Sequence, residues 1–141
     1  MKKFVPVFFL LLLVSLSSEA QSRMHWGVRA GVLDNDPMIG AEVIFPVWAG
    51  VSVNPNIEFA SDVFTANADA VYTFPLRANT SFWAGAGLAF VNPDEGDYDG
   101  GFNILGGVGM QRGRWNPYAQ LKLTSAGDID DFVSVAAGVR F

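Results

Sequence analysis

The feature that most constrains the fold is an alternation of apolar and polar residues, which recurs through the chain after residue 20. A period of two is the side-chain period of a β-strand. Helical spacing, by contrast, is nowhere sustained beyond a turn or two. Turn-forming residues divide the alternation into eight segments: Met24 to Leu33, Met38 to Val47, Val51 to Phe59, Phe64 to Phe74, Thr80 to Val91, Phe102 to Gln111, Trp115 to Thr124 and Asp131 to Phe141.

The number and length of these segments favour a closed antiparallel barrel. Each has 9 to 12 residues, close to the roughly 9 to 11 that a tilted transmembrane strand requires. An even number of strands lets an up-and-down barrel close with both termini at one end. The sequence therefore predicts an all-β, eight-stranded up-and-down barrel.

The first 20 residues have the pattern of an export signal. Lys2 and Lys3 precede an apolar run from Phe4 to Val14, and the small-x-small step Ser18-Glu19-Ala20 follows. The run has eleven residues, whereas a helix needs about 20 to span a membrane, so a membrane anchor is the weaker alternative. We expect a signal peptide over residues 1–20 and a single barrel domain over residues 21–141.

Composition excludes several classes of protein. The chain contains no cysteine, which rules out a lipoprotein tethered through that residue and a disulfide-stapled secreted domain. After the predicted signal, thirteen acidic residues face seven basic ones. An acidic chain of this kind is not expected to bind nucleic acid, and no motif predicts a cofactor.

The two faces of the predicted strands differ in charge. One face, which on the first strand carries Val28, Ala30 and Val32, has no charged residue on any strand, whereas the charges fall on the other face. In water the apolar face would turn inward, and a soluble ligand-carrying barrel is the corresponding alternative. In lipid the apolar face turns outward and the charges occupy the interior. Because the exposed apolar band would exceed what soluble monomers tolerate, we predict a transmembrane barrel with a polar interior filled by side chains.

The aromatic residues of the apolar face fall at two heights, as expected for rings that settle at the two membrane interfaces. With a periplasmic N-terminus, the predicted periplasmic girdle is Trp26, Phe45, Tyr72, Phe74, Phe82, Trp115 and Phe141. The predicted outer girdle is Phe59, Phe64, Phe90 and Phe102.

With its eight alternating strands, its girdles and its closing stretch Val133 to Phe141, the chain resembles the small outer-membrane barrels of the outer-membrane protein A and X type. The resemblance covers the whole chain after the signal. It implies export to the outer membrane of a Gram-negative bacterium, outer-membrane lipid as the surroundings, and Phe141 as the signal recognised by the barrel-assembly machinery. One departure is that the outer loops are short, whereas family members often carry long loops for adhesion.

Six charged residues are predicted to meet inside the barrel: Arg29, Lys122 and Arg140 with Glu42, Glu58 and Asp69. An eight-stranded barrel is just wide enough for side chains to fill, so we expect a paired ionic network that plugs it. A hairpin centred on Asn35-Asp36 would place Arg29 directly opposite Glu42. A gated ion path through the same network, giving a narrow porin-like channel, is the alternative.

The connections at the predicted outer end are rich in carboxylates. Glu95, Asp97 and Asp99 occupy the first, third and fifth places of a calcium-loop pattern with Gly100 sixth, but Gly106 stands where the twelfth place requires Glu. A solvated acidic turn is therefore the preferred interpretation, with loose binding of divalent cations at the rim as a further possibility.

An enzymatic role has little support in the sequence. Acyl-lipid chemistry needs a base beside a hydroxyl nucleophile, and the chain offers one imidazole, His25, with Ser52 as a nearby hydroxyl and no nucleophile motif around it. We therefore expect no catalytic residues. A structural or surface-interaction role is the leading hypothesis, with a narrow channel second and a lipid-modifying enzyme third.

Overall fold

A computed structural model describes residues 24–61, 63–93, 98–127 and 129–141. The predicted signal peptide and the calcium candidates Glu95 and Asp97 lie outside these residues. Within them no helix is long and apolar enough to cross a membrane. The strands are β1 (His25–Leu33), β2 (Asp36–Trp48), β3 (Val51–Ala60), β4 (Val63–Pro75), β5 (Thr80–Pro93), β6 (Asp99–Met110), β7 (Asn116–Ala126) and β8 (Ile129–Arg140).

The eight strands form one closed antiparallel barrel in sequence order. Each pairs with its neighbours along the chain, and β8 returns to pair with β1, where Arg29 lies opposite Gly138. The predicted all-β, eight-stranded up-and-down barrel is confirmed. Both described termini lie at one end, called here the termini end. The β1–β2, β3–β4, β5–β6 and β7–β8 connections lie at the other, called the loop end.

The turn of the first hairpin is centred on Asp34 and Asn35, one residue earlier in the chain than predicted. Asp34 and Asn35 have φ values of 47° and 73°, a sign that suits the central residues of the two-residue turns of β-hairpins. Leu33 consequently pairs with Asp36, and Arg29 lies opposite Gly40 rather than opposite Glu42. The predicted register was wrong by two residues. An even shift keeps every side chain on its face, so Arg29 and Glu42 still meet diagonally inside the barrel.

The outward face is apolar and exposed along its length. Phe64 is half-buried, and nine other residues of the predicted girdles are well exposed: Trp26, Phe59, Tyr72, Phe74, Phe82, Phe90, Phe102, Trp115 and Phe141. Phe45 is the exception, because it is only 6% exposed. Its assignment to the exposed girdle was wrong. It lies beside the register shift between Pro46 and Trp48, where a bulge bends the strand and changes how neighbours cover a residue.

The interior is layered along the barrel axis. At the loop end lies an apolar cluster, called here the loop-end cap, made of Leu33, Met38, Ala89, Val91, Ala126, Phe132 and Ala136. The middle layer is polar and buried. Towards the termini end lies a second buried cluster of Val71, Trp83, Leu105 and Tyr118. The prediction of a polar interior was therefore correct for the middle layer and incomplete at both ends.

Candidate functional site

The centre of the polar layer is Glu58, a carboxylate that is 2% exposed. Its Oε1 lies 3.0 Å from Arg29 Nη2 and 3.2 Å from Lys122 Nζ, and its Oε2 accepts a hydrogen bond from Thr65. Lys122 Nζ also lies 3.4 Å from Asp69 Oδ2. One buried anion is thus shared by two buried cations. Such an arrangement persists in a low-dielectric interior only when each charge has an opposite charge close by.

A second group of charges, centred on Glu42, extends the network towards the termini end. Glu42 Oε1 accepts a hydrogen bond of 2.7 Å from Arg140 Nε, and Oε2 accepts one of 2.8 Å from Asn54. Arg29 Nη1 lies 3.6 Å from Glu42 Oε2 and so links the two groups. The six ionisable residues named from the sequence therefore form one connected and charge-balanced network.

Side-chain amides connect these charges, and their part was missed from the sequence. Asn56 Oδ1 accepts hydrogen bonds from Arg29, Lys122 and Asn67, at 2.6, 2.9 and 3.0 Å, and its amide nitrogen donates to Asp69. Asn103 donates to Asn67 and Asp69. The sequence contained a signal for them, because these asparagines lie on the same face of their strands as the interior charges. Charge alone had been used to choose the members of the network.

Trp83 is the largest interior residue that sequence reasoning overlooked. It is 2% exposed, and its indole nitrogen donates to Gln120. The opposing strand provides the space: a Cβ at Gly107 would lie 2.5 Å from the Trp83 ring, closer than real atoms approach. Parity would have found it, since Trp83 alternates with the outward Phe82 and Ala84.

At the termini end the interior opens into a cavity of about 200 Å³, called here the termini-end cavity. Arg140 lies at its inner side, with its guanidinium carbon 4.3 Å from the Trp83 ring centre and 4.2 Å from that of Tyr118. His25 and Ser52 also line the cavity. His25 Nδ1 lies 3.2 Å from the carbonyl oxygen of Phe141, and within the described residues it forms no hydrogen bond with Ser52.

Of the calcium candidates, only Asp99 lies within the described residues. It begins β6 opposite Val91, and its side chain lies near Gly127 of the β7–β8 connection. No group of three or more acidic or histidine side chains that could hold a metal ion occurs in the part of the chain that the structure describes.

The barrel architecture is shared with solved outer-membrane proteins. The N-terminal β-barrel domain of Pseudomonas aeruginosa OprF matches with a TM-score of 0.69 at 14% identity, over 84% of this chain and 96% of that one. Neisserial surface protein A matches with a TM-score of 0.65 at 13% identity, over 83% and 94%. The outer membrane enzyme PagL matches with a TM-score of 0.57 at 11% identity, over 83% and 98%.

No protein-family model matches the chain, and no curated protein matches it by sequence. The structural likeness, at these identities, establishes the fold. The chain has the fold of the small eight-stranded outer-membrane β-barrels, as its resemblance to barrels of the outer-membrane protein A and X type predicted.

Proposed function

We propose that the protein is an exported outer-membrane barrel with a sealed interior and a structural or surface-interaction role. The observation that carries this proposal is the stacking of two layers of buried side chains along the barrel axis. The ionic network fills the middle with fully buried side chains such as Lys122 and Glu58, and the loop-end cap places Met38 and Phe132 across the interior beyond it.

The loop-end cap weighs against the alternative of a narrow porin-like channel. An ion following the polar network would have to leave through an apolar layer in which Leu33, Met38, Val91 and Phe132 are at most 6% exposed. Removing an ion from water into such surroundings without a partner is costly. A rearrangement of the ion pairs within the polar network would not by itself open the loop-end cap.

Location in the outer membrane is supported by the exterior of the barrel. Exposed apolar side chains occupy every strand, among them Ile39, Leu88, Ile104 and Val135, as lipid-facing positions require. The partners proposed are therefore outer-membrane lipid and, during assembly, the barrel-assembly machinery acting on the closing β8 strand. Phe141, whose ring packs 4.8 Å from Trp115, is proposed as its recognition residue.

Acyl-lipid chemistry is not part of the proposal. His25 and Ser52 border the same cavity, but the hydrogen bond of His25 goes to a backbone carbonyl rather than to a hydroxyl. A likeness to an outer membrane enzyme at 11% identity concerns the fold. Replacing His25 by alanine is expected to leave lipid acylation unchanged, as measured by mass spectrometry of membranes from cells that express each form.

Two measurements test the proposal. The full-length gene is expressed with its signal, and the outer-membrane fraction is run on SDS gels with and without boiling. A heat-dependent mobility shift is expected, because a closed barrel resists detergent until heated. The purified protein, added to planar bilayers beside a known porin, is expected to give no unitary conductance steps. Reproducible steps from the folded form, absent after boiling, would replace the sealed barrel by the channel.

A further inference from the structure

The termini-end cavity is an interior space that reaches the surface of the barrel. Its walls are apolar at Ile44, Pro46, Met110 and Pro117, and its hydroxyl and amide groups come from Ser52, Thr73, Ser81, Gln111 and Asn116. A concave, mostly apolar space with a few converging polar groups is the usual form of a small-molecule site. Its volume of about 200 Å³ is below the roughly 300 to 1,000 Å³ of sites for drug-sized ligands, so the ligand must be small.

Arg140 provides a fixed cation at this cavity. Its guanidinium contacts the rings of both Trp83 and Tyr118, and its Nε donates a hydrogen bond to Glu42. The side chain is 17% exposed, whereas that of Glu42 is fully buried. Within the described residues, the terminal nitrogens Nη1 and Nη2 form no hydrogen bond with protein. A guanidinium has five N–H donors, and among the described residues protein uses only the one on Nε.

The charge balance of the network limits what that acceptor can be. Glu42 already interacts with Arg140, Arg29 and Asn54. Because the charges of the network are balanced, it can accommodate little additional negative charge. A monoanion adds one charge, whereas a phosphate dianion brings a second charge towards Glu42. The two terminal nitrogens of arginine match the two oxygens of a carboxylate in bidentate geometry. The apolar walls suit a short hydrocarbon or aromatic body.

We propose that the termini-end cavity binds a small organic monocarboxylate, with Arg140 holding its carboxylate and the walls around Pro46 and Pro117 holding its apolar body. Nothing in the proposed structural role requires such a site. The site depends on the barrel being folded but not on whether the barrel conducts.

The test uses the folded full chain in detergent micelles with benzoate as the probe. The indole N–H resonance of Trp83, identified by its loss in Trp83→Phe, reports on binding because this ring touches Arg140. Trp26, Trp48 and Trp115 are exposed on the barrel exterior and serve as internal controls. We expect a saturable shift of the Trp83 resonance with benzoate, and at least tenfold weaker binding of the neutral analogue benzamide.

Two variants separate the site from a general effect. Arg140→Lys keeps the charge but removes the planar fork, and should weaken benzoate binding at least tenfold. Ser52→Leu fills the cavity without touching an ion pair and should abolish the shift, which keeps the test valid if Arg140→Lys fails to fold. Arg77→Lys, in the exposed β4–β5 turn, is the matched control and should change binding less than twofold.

Three results would overturn the proposal. The first is a shift of equal size at all four tryptophans, which would mean that benzoate partitions into the micelle. The second is unchanged binding in Ser52→Leu. The third is tighter binding of inorganic phosphate than of benzoate, which would exclude a monocarboxylate as the ligand class. Each can occur while heat modifiability and zero conductance persist, so failure here is distinguishable from failure of the sealed-barrel proposal.

Discussion

Replacing Glu58 by glutamine tests whether the buried network stabilises the barrel through its charge balance. The substitution keeps the volume and one hydrogen-bonding oxygen but leaves three cations with two anions in the network. Arg29 Nη2 and Lys122 Nζ lie 3.0 and 3.2 Å from Glu58 Oε1, so both cations lose the attraction of its negative charge. With an effective dielectric constant of about 20, each attraction amounts to about 5 kcal/mol before desolvation is counted.

The net effect is smaller than the sum of these attractions. Removing the buried carboxylate also removes its desolvation cost of several kcal/mol. In addition, Lys122 keeps Asp69 at 3.4 Å and Arg29 keeps Glu42 at 3.6 Å. We therefore expect Glu58→Gln to lower the free energy of unfolding by about 3 to 5 kcal/mol, the usual result of breaking a buried pair. Glu42→Gln should cost about 1 to 3 kcal/mol, because Arg140 reaches water through the termini-end cavity.

The assay is urea unfolding in lipid vesicles, followed by tryptophan fluorescence, with Asp36→Asn in the exposed first hairpin as the matched control at about 0.5 kcal/mol or less. The double variant Glu58→Gln/Arg29→Met leaves the pairs Lys122–Asp69 and Arg140–Glu42, two charges of each sign, and should recover at least half of the loss. A loss for Glu58→Gln no larger than that of the control would refute the argument. So would a larger loss for Glu42→Gln than for Glu58→Gln.

Three further predictions concern packing and the first turn. Gly107→Ala should lower the free energy of unfolding by about 1 to 3 kcal/mol, because the added Cβ would meet the Trp83 ring. Gly106→Ala, on the outward face, should change it by less than about 0.5 kcal/mol. Equal effects of the two variants in the same urea assay would contradict the inward packing of Trp83. Asn35→Val should cost about 1 to 2 kcal/mol, because a β-branched residue is strained at a φ of 73°; an unchanged unfolding midpoint would contradict the turn. Phe132→Ala should lower the free energy of unfolding by about 3 to 5 kcal/mol. It should nevertheless give no conductance, because the ionic network still closes the barrel. Channel activity in this variant would show that the loop-end cap alone seals the barrel.

The alternation of residues was sufficient to predict the architecture because a strand's period fixes which side each residue faces. Arg29, Glu58 and Lys122 were therefore placed inside correctly even though the register of the first hairpin was wrong. A two-residue error preserves parity, whereas a one-residue error would have turned the entire strand over. Parity was thus the dependable part of the prediction, and cross-strand pairing was not.

The features that the sequence did not predict depend on the height of a residue along the barrel axis and on which residues of adjacent strands lie beside it. Leu33 and Met38 share the parity of interior residues, but only the closed register brings them together with Phe132 into a cap. Phe45 lies on the outward face of its strand and is nonetheless buried, beside the register shift between Pro46 and Trp48. The pairing of Trp83 with Gly107 across β5 and β6 likewise depends on register, which neither residue reveals alone.

The layered interior leaves the barrel open at the termini end and filled by apolar side chains at the loop end. The loop-end cap is apolar and buried, while the opposite end holds a cavity lined by Arg140, the ion-pair partner of Glu42. If the interior is sealed as proposed, water, small solutes and protons approach the buried charges from the termini end only. If the termini face the periplasm, the ionic network of a sealed barrel exchanges protons and ions with the periplasm and is insulated from the acidity and salt of the external medium.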